Sequence, residues 1–583
     1  ISACLVGSEM CIRDRPYGGT STVKTAYSGS QTIITDARNN KTIQQRAGNG
    51  ELVKVTDAKG LQTNFGYYAD GSLYYVQRDA GRGVVSNTFV YDSMGRKIQQ
   101  NDPDSGTTRF KYNALGELVQ QIDPYGNRIE NWYDGRGRVW KKIVWRKYPD
   151  GHEDIETQTD YDFDTSTYGI GQLASEAITG SYTDWRTQPA LDVNFKRTYA
   201  YDGMGRPLST TTTIDGADYR QETRYDDLGR PWKVLDASGR WAKTIFNQRG
   251  FVVSVCNSSA TDADRTLCPT DGNTYLTTLE TDAWGHVVRE RRGASAAMDV
   301  SRQYYPENGR VAEICAGGAT CNLVKEGYGW DAAGNLSSQQ KENRYLETYT
   351  YDSLNRLTSG SLTIQDGVTV NKRMQYFEYD ALGNLCRREN QGWANRDYTY
   401  AGRAGCGLGG AMNSAYGSGS TDGTRSPHQV ADLVSGADHL LQSYDARGNT
   451  RTRTATNDAN NYTIKYSLED QAYELSNASG VATRFWYGSD GARYKRVDGG
   501  KTTLYLGNVE IEVIGSARTY KRTVAGVMLQ TSTSATGTAA NYYLFHDHLG
   551  SLIRITNASG TVVNSMDYLA FGGRRNTDTQ EGN

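Results

Sequence analysis

Tyr91-Asp92-Ser93-Met94-Gly95-Arg96 is the stretch that decides the fold, because its pattern, Tyr-Asp-x-x-Gly followed by Arg or Asn, returns along the whole chain. Further copies are Tyr133-Asp134 with Gly137, Tyr201-Asp202 with Gly205 and Arg206, Tyr225-Asp226 with Gly229 and Arg230, Tyr379-Asp380 with Gly383, and Tyr444-Asp445 with Gly448. Tyr351-Asp352 opens another with Asn355 in the glycine place, and asparagine is the best substitute for glycine at positive φ. The Asp can accept a hydrogen bond from the backbone two residues on, and the Gly supplies the left-handed conformation that closes a hairpin with a bulge. Each copy therefore reads as a hairpin corner. Tyr ends one strand and Arg or Asn begins the next, where they can stack or hydrogen-bond across neighbouring hairpins.

Weaker copies fill the gaps: Tyr112-Asn113 with Gly116, Ile122-Asp123 with Gly126, Leu235-Asp236 with Gly239, Phe246-Asn247 with Gly250, and Trp330-Asp331 with Gly334. Tyr91, Tyr112 and Tyr133 step by 21 residues, with Asp102 and Asp123 interleaved midway. The interval left between turns is about five or six residues, the length of an ordinary strand and too short for a helix. Alternating bulky residues in Thr108–Tyr112, Arg138–Trp145 and Thr348–Tyr351 agree. The expected fold is all-β, one continuous antiparallel sheet. A sheet this long must curl, coil or close, because twisted open sheets rarely exceed about ten strands.

Composition narrows the class. The chain has 583 residues with 64 Gly, 41 Tyr and only 10 Pro; 37% are hydrophobic and 22% charged. That is apolar-poor without the charge of a disordered chain. A net charge of −2 offers no basic excess for a phosphate backbone, so nucleic acid is not an expected partner. No apolar run approaches the roughly 18 residues of a membrane span.

Three constellations invite chemistry. His546-Asp547-His548 is the only dense ligand-like cluster, but zinc needs three or four ligands and His152, His286, His428 and His439 carry no second paired spacing. A packed, hydrogen-bonded role is expected instead. Cys256/Cys268, Cys315/Cys321 and Cys386/Cys406 contain no Cys-x-x-Cys, so they are read as local disulfide candidates, with 15 connectivities open. Gly500-Lys501-Thr502 has Lys495 where a phosphate-binding loop needs glycine. No catalytic, metal or cofactor-binding residue is assigned, and no cofactor is expected. Regularly phased aromatics are expected to pack across strands, with Trp393 and Trp486 the candidates for facing solvent.

The repeated Tyr-Asp motif at 21-residue spacing resembles the YD-repeat proteins: bacterial Rhs proteins, insecticidal toxin-complex shells and teneurins. The run His546-Asp547-His548-Leu549-Gly550-Ser551, followed by Asp567-Tyr568-Leu569-Ala570-Phe571-Gly572, is similar to the Rhs-associated core. The resemblance spans Tyr17 to Arg574. It implies a spiralling sheet that encloses a hollow shell, and a carrier that is not an enzyme. In bacterial members a C-terminal toxin domain follows the core, which closes with an Asp-Pro-x-Gly-type motif that this sequence does not reach.

Four segments are expected. Residues 1–15 (ISACLVGSEMCIRDR) match no secretion signal and read as a sequence scar. A YD-repeat β-shell follows over 16–400, then a Gly/Ser-rich loop or insertion over 401–440. YD repeats and an incomplete core occupy 441–583. The stretch Asp150 to Asn194 reads as an excursion from the sheet. The resemblance implies a secreted or surface-located bacterial protein that holds a C-terminal toxin cargo for interbacterial competition, with secretion-apparatus or immunity proteins as further partners. The alternative class is a surface or wall-associated adhesin that binds glycans or proteins through exposed aromatics.

Overall fold

The computed structural model describes residues 11–13, 22–79, 84–182, 191–269, 274–366, 369–390, 396–400, 427–435, 438–455, 461–535 and 537–576. Among these there is no α-helix, only two single-turn 3-10 segments. The strands form one 46-stranded sheet in which each strand pairs antiparallel with the next, and Asp567–Tyr568 with Arg574–Arg575 make a separate two-stranded ribbon. Most strands have five to eight residues, as the turn spacing dictates.

Antiparallel order places successive turns on opposite rims. Every Tyr-Asp corner falls on the same rim, and the interleaved Asp-Gly turns without Tyr, such as those at Asp102, Asp123 and Asp236, fall on the other. The 21-residue period is thus two strands and two turns. Across residues 150–194, Glu153–Phe163 pairs with Leu173–Ser181, which pairs in turn with Asp192–Tyr201, and residues 183–190 lie outside the described residues. Val139–Lys147, Glu153–Phe163 and Leu173–Ser181 are long, paired strands there, so the expected excursion is a run of the sheet whose strands outgrow the usual turn spacing. Arg396–Tyr400 pairs directly with Val430–Ser435, and residues 401–426 lie outside the described residues.

The sheet also wraps on itself. Arg38 Nη1 donates to the Asp352 carbonyl 314 residues on, His428 meets Asp104 at a separation of 324, and Lys142 meets Glu469 at 327. The separation falls to 294 at Trp486 and Asp192, 252 at Arg292 and Leu544, and 226 at Lys341 and Asp567. Contacts that advance together along two stretches of chain are those of a spiral, and the falling separation means that it tightens. The non-motif rim of the first wrap meets the motif rim of the second.

The dry core lies along this seam. Ile178, Val193, Phe195 and Ile214 pack with Trp486, Leu504, Val509 and Ile511 of the second wrap. Farther on, Tyr275, Met298, Val300 and Ile314 pack with Met528, Tyr543 and Phe545. By contrast, no described residue between 22 and 126 is buried, so that part of the sheet is a single layer with both faces accessible. This is why the composition is poor in apolar residues.

Candidate functional site: stapled corners, the seam and the core motif

The corner is the repeating unit, and its chemistry explains each position of the motif. At Asp92 the Oδ1 atom accepts from the backbone N–H groups of Met94 (2.9 Å) and Arg96 (3.0 Å), while Oδ2 accepts from Arg96 Nε (2.7 Å). The Gly95 N–H donates to the Asp92 carbonyl at 3.0 Å, which requires the glycine's φ of +75°. The bulge falls between Val90 and Tyr91. Corners at Asp202 and Asp226 repeat the Arg contacts, and the corner at Asp134 does so with Arg138. Asn384 and Asn449 reach the same Oδ2 of Asp380 and Asp445 through Nδ2, at 2.9 and 3.3 Å. Arg and Asn interchange because both deliver a backbone and a side-chain donor to one carboxylate. The arginine hydrogen bond is the largest cause holding the Asp92 and Asp202 carboxyls below their usual range.

Neighbouring corners are joined through Tyr. The hydroxyls of Tyr112, Tyr133, Tyr225 and Tyr379 donate to the carbonyls of Lys97, Leu118, Pro207 and Leu357, each just past the preceding corner, at 2.8–2.9 Å. Tyr201 and Tyr444 donate in the same way to Leu173 and Val430. The motif Arg lies over the aromatic that opens the next corner: Arg96 over Tyr112 at 5.1 Å, Arg206 over Tyr225 at 4.4 Å, Arg356 over Tyr379 at 4.6 Å. Asn355 has φ +60°, and its N–H donates to the Asp352 carbonyl as the corner glycines do.

The seam carries charge that the sequence does not flag. Asp236 and Arg522 form a fully enclosed ion pair. Glu156, enclosed beside Arg146, also accepts from the Leu468 N–H of the second wrap at 2.8 Å. Burial pushes its carboxyl up to about 7 in spite of the arginine. At the end of the seam Lys341 bridges Glu347 (3.0 Å) and Asp567 (2.6 Å), and Arg575 meets Glu347 at 2.9 Å. Burial works against the Glu347 charge, but Lys341 and Arg575 prevail and hold it at about 2.

The His546–Ser551 run is one more corner, with His546 in the Tyr place. Asp547 Oδ1 accepts from the N–H groups of Leu549 and Ser551 at 2.9 and 2.8 Å, and Gly550 has φ +84°. The His548 ring packs on Tyr328 (4.3 Å between centroids) and Trp330 (5.7 Å) of the first wrap. Burial lowers both imidazole pKa values. Tyr568 donates to the Leu552 carbonyl at 2.7 Å, the same staple that joins the other corners. Among the described residues no group of three or more His, Cys, Asp or Glu is placed to hold a metal. His152, His286, His428 and His439 each pair with one aspartate.

Cys256 bonds Cys268 and Cys315 bonds Cys321, with Cα separations of 5.9 and 4.9 Å. Cys386 is also disulfide-bonded, and Cys406 lies outside the described residues. The 256–268 loop is clamped from beneath by Lys233, whose ammonium donates to the carbonyls of Ala260 and Asp262, and by Lys243, which donates to Asp264. Trp486 does not face solvent: it is buried in the seam and its Nε1 donates to the Asp192 carbonyl at 2.9 Å. Trp393 lies outside the described residues.

No protein-family profile matches the chain, and no curated protein matches it. Solved structures do. The Tc holotoxin pore of Photorhabdus luminescens carrying the TccC3 D651A mutation matches with a TM-score of 0.73 at 15% identity, over 95% of this chain and 29% of that one. The TcdB2-TccC3-Cdc42 structure matches at 0.73 and 14% identity, and TcdB2-TccC3 at 0.69 and 15%. This chain spans 29–30% of the length of those chains. At such identity the likeness speaks for the fold alone: the wrapped sheet is similar to a segment of these toxin-complex structures.

Proposed function

We propose that this chain is a stretch of shell wall from a bacterial Rhs-type toxin carrier, which encloses a C-terminal effector and delivers it in competition between bacteria. The observation that carries the reading is the single-layer sheet that spirals over itself, together with the TcdB2-TccC3 fold. On this reading the wall performs no chemistry. Its Asp, Tyr and Arg side chains are consumed by corners and staples, which make a thin layer rigid enough to bound a space. The cargo is a toxin domain following the core, and the protein acts outside the producing cell or at its surface.

Small-angle scattering tests the wall. A solid globule of this length has a radius of gyration of roughly 25 Å, and a wall around a space must give a clearly larger value with mass displaced from the centre. A compact solid profile overturns the reading. Reading the gene past Asn583 tests the cargo: a closing core motif, an unrelated small domain and a short neighbouring gene are expected, whereas a wall-sorting signal in that place favours the adhesin.

A further inference from the structure

The loop closed by Cys256–Cys268 covers a row of like charges. Strand register sets Arg224 opposite Lys233, Lys233 opposite Lys243, and Lys243 opposite Cys256, so three cations stand side by side on one face of the sheet. Directly opposed like charges are unfavourable unless something neutralises them. Glu222 serves Arg224 at 2.9 Å. The loop serves the two lysines. Lys233 Nζ donates to the carbonyls of Ala260 (3.1 Å) and Asp262 (2.6 Å), and Lys243 Nζ donates to the Asp264 carbonyl and meets Asp262 Oδ2, both at 2.9 Å. Both lysines are buried beneath it, and Arg224 Nη1 also reaches the Ala260 carbonyl at 3.2 Å. The loop thus offers two ammonium groups a cluster of oxygens with a carboxylate among them, which is what an oxyanion would offer.

What holds the loop there is polar and covalent. Between the two cysteines its single large apolar side chain, Leu267, is 69% exposed. Its aspartates also shape its own turns: Asp262 Oδ1 accepts from the Asp264 N–H, and Asp264 Oδ1 from the Thr266 N–H. Cys256 is buried in the strand Val252–Ser258, whereas Cys268 is half-buried.

We propose that Arg224, Lys233 and Lys243 form a masked oxyanion site, in which the 256–268 loop is the built-in occupant and the disulfide its latch. Reduction by a dithiol opens it. One thiolate of the reductant attacks the Cys268 sulfur, the S–S bond breaks, and Cys256 leaves as a thiolate that takes up a proton. The reductant's second thiolate then displaces Cys268 from the mixed disulfide, so the reductant departs as a cyclic disulfide and both cysteines end as thiols. With the loop free to lift, the ammonium groups lose their oxygens and a phosphate-type oxyanion takes their place.

Isothermal titration calorimetry of the full chain with tripolyphosphate tests this. Oxidised wild type sets the background that exposed basic residues give. Cys256→Ser/Cys268→Ser, with the other disulfides intact, is expected to bind at least ~30-fold tighter. Adding Lys233→Gln/Lys243→Gln is expected to return the affinity to the background. Wild type reduced with dithiothreitol is expected to gain the same affinity, and it decides the matter where circular dichroism shows the serine variant unfolded. In Cys268→Ser, maleimide labelling of Cys256 reports the loop directly, and is expected at least ~100-fold faster than global unfolding allows. A smaller gain in affinity, or one that survives loss of both lysines, overturns the proposal, and so does a Cys256 thiol that reacts only as the whole chain unfolds.

Discussion

Asp236→Ala should unfasten the two wraps at their most enclosed ion pair. Asp236 lies in a first-wrap turn and its partner Arg522 in the second-wrap strand Ala517–Val524; each side chain is only 2% exposed, so water cannot replace a lost partner. The two ends are not equally supported. Asp236 also accepts from the Ser238 N–H at 3.0 Å and the Ser238 hydroxyl at 2.5 Å, whereas Arg522 keeps only Gln530, at 3.2 Å. Removing the carboxylate strands a buried guanidinium, at ~3–5 kcal/mol, and takes about 1 kcal/mol more by deleting the turn's own acceptor. Arg522→Met leaves a carboxylate with two donors in place, so ~2–3 kcal/mol is expected. The double variant should cost less than the sum by ~2 kcal/mol, since neither charge is then left alone. Equilibrium urea denaturation of the four proteins, followed by the fluorescence of buried Trp232 and Trp241 close to the turn, measures all three quantities. Strict additivity, or single variants within ~0.5 kcal/mol of wild type, would refute the claim that this pair fastens the seam.

Gly95→Ala should lose ~1–2 kcal/mol purely from its φ of +75°, because the added Cβ meets nothing within 4 Å, while Asn355→Gly relieves a positive φ but removes the Oδ1 that accepts from Arg38 across the seam and from Asn335, so a net loss of about 1 kcal/mol or less is expected; thermal melts of both compare them directly. His428 Nδ1 lies 2.6 Å from Asp104 Oδ2 across the seam, and that hydrogen bond raises the imidazole above its usual 6.5. Its contribution is therefore complete below about pH 6.5 and fades as pH rises through the elevated folded value. Hydrogen-exchange protection at the neighbouring corner, taken relative to the base-catalysed intrinsic rate, should fall over that window in wild type and not in His428→Gln. Reducing Cys256–Cys268, which closes a loop of sequence separation 12, should lower stability by roughly 2–3 kcal/mol, and Cys256→Ser/Cys268→Ser should reproduce the lowered melting temperature without reductant.

The corner chemistry was legible because it is local. Asp92, Gly95 and Arg96 satisfy one another within five residues, so spacing alone exposes the hairpins, their period and the continuous sheet. The His546–Ser551 run obeys the same rule, Asp547 and Gly550 standing three apart as Asp92 and Gly95 do, but His546 in the Tyr place hides the corner in the sequence. Residues 150–194 looked irregular because strands as long as Glu153–Phe163 postpone the next turn signal. The seam was not legible. Its partners are separated by 226 to 327 residues with no fixed interval, and nothing near Trp486 in sequence announces that its indole would meet the Asp192 carbonyl.

Local corners and a distant seam should come apart under one deletion. Removing residues 113–133 takes out 21 residues, two strands and two turns, and joins Tyr112 to Asp134, which restores a Tyr-Asp corner ending in Gly137 and Arg138. Strand polarity is kept, since an even number of strands is lost, and every remaining corner retains its own hydrogen bonds. The seam is not kept. Arg38–Asp352 and Lys142–Glu469 lie on either side of the deletion in the first wrap, so shortening that wrap by one hairpin forces one group of partners a corner out of register. The enclosed groups that depend on that register, Glu156 with Leu468 and Asp236 with Arg522, would lose partners together. Far-UV circular dichroism per residue should therefore be unchanged, while the melting temperature falls and an environment-sensitive dye binds the exposed seam. A deletion variant that melts with wild type would mean that the wraps slide to recover their contacts, and that register is set by the corners after all.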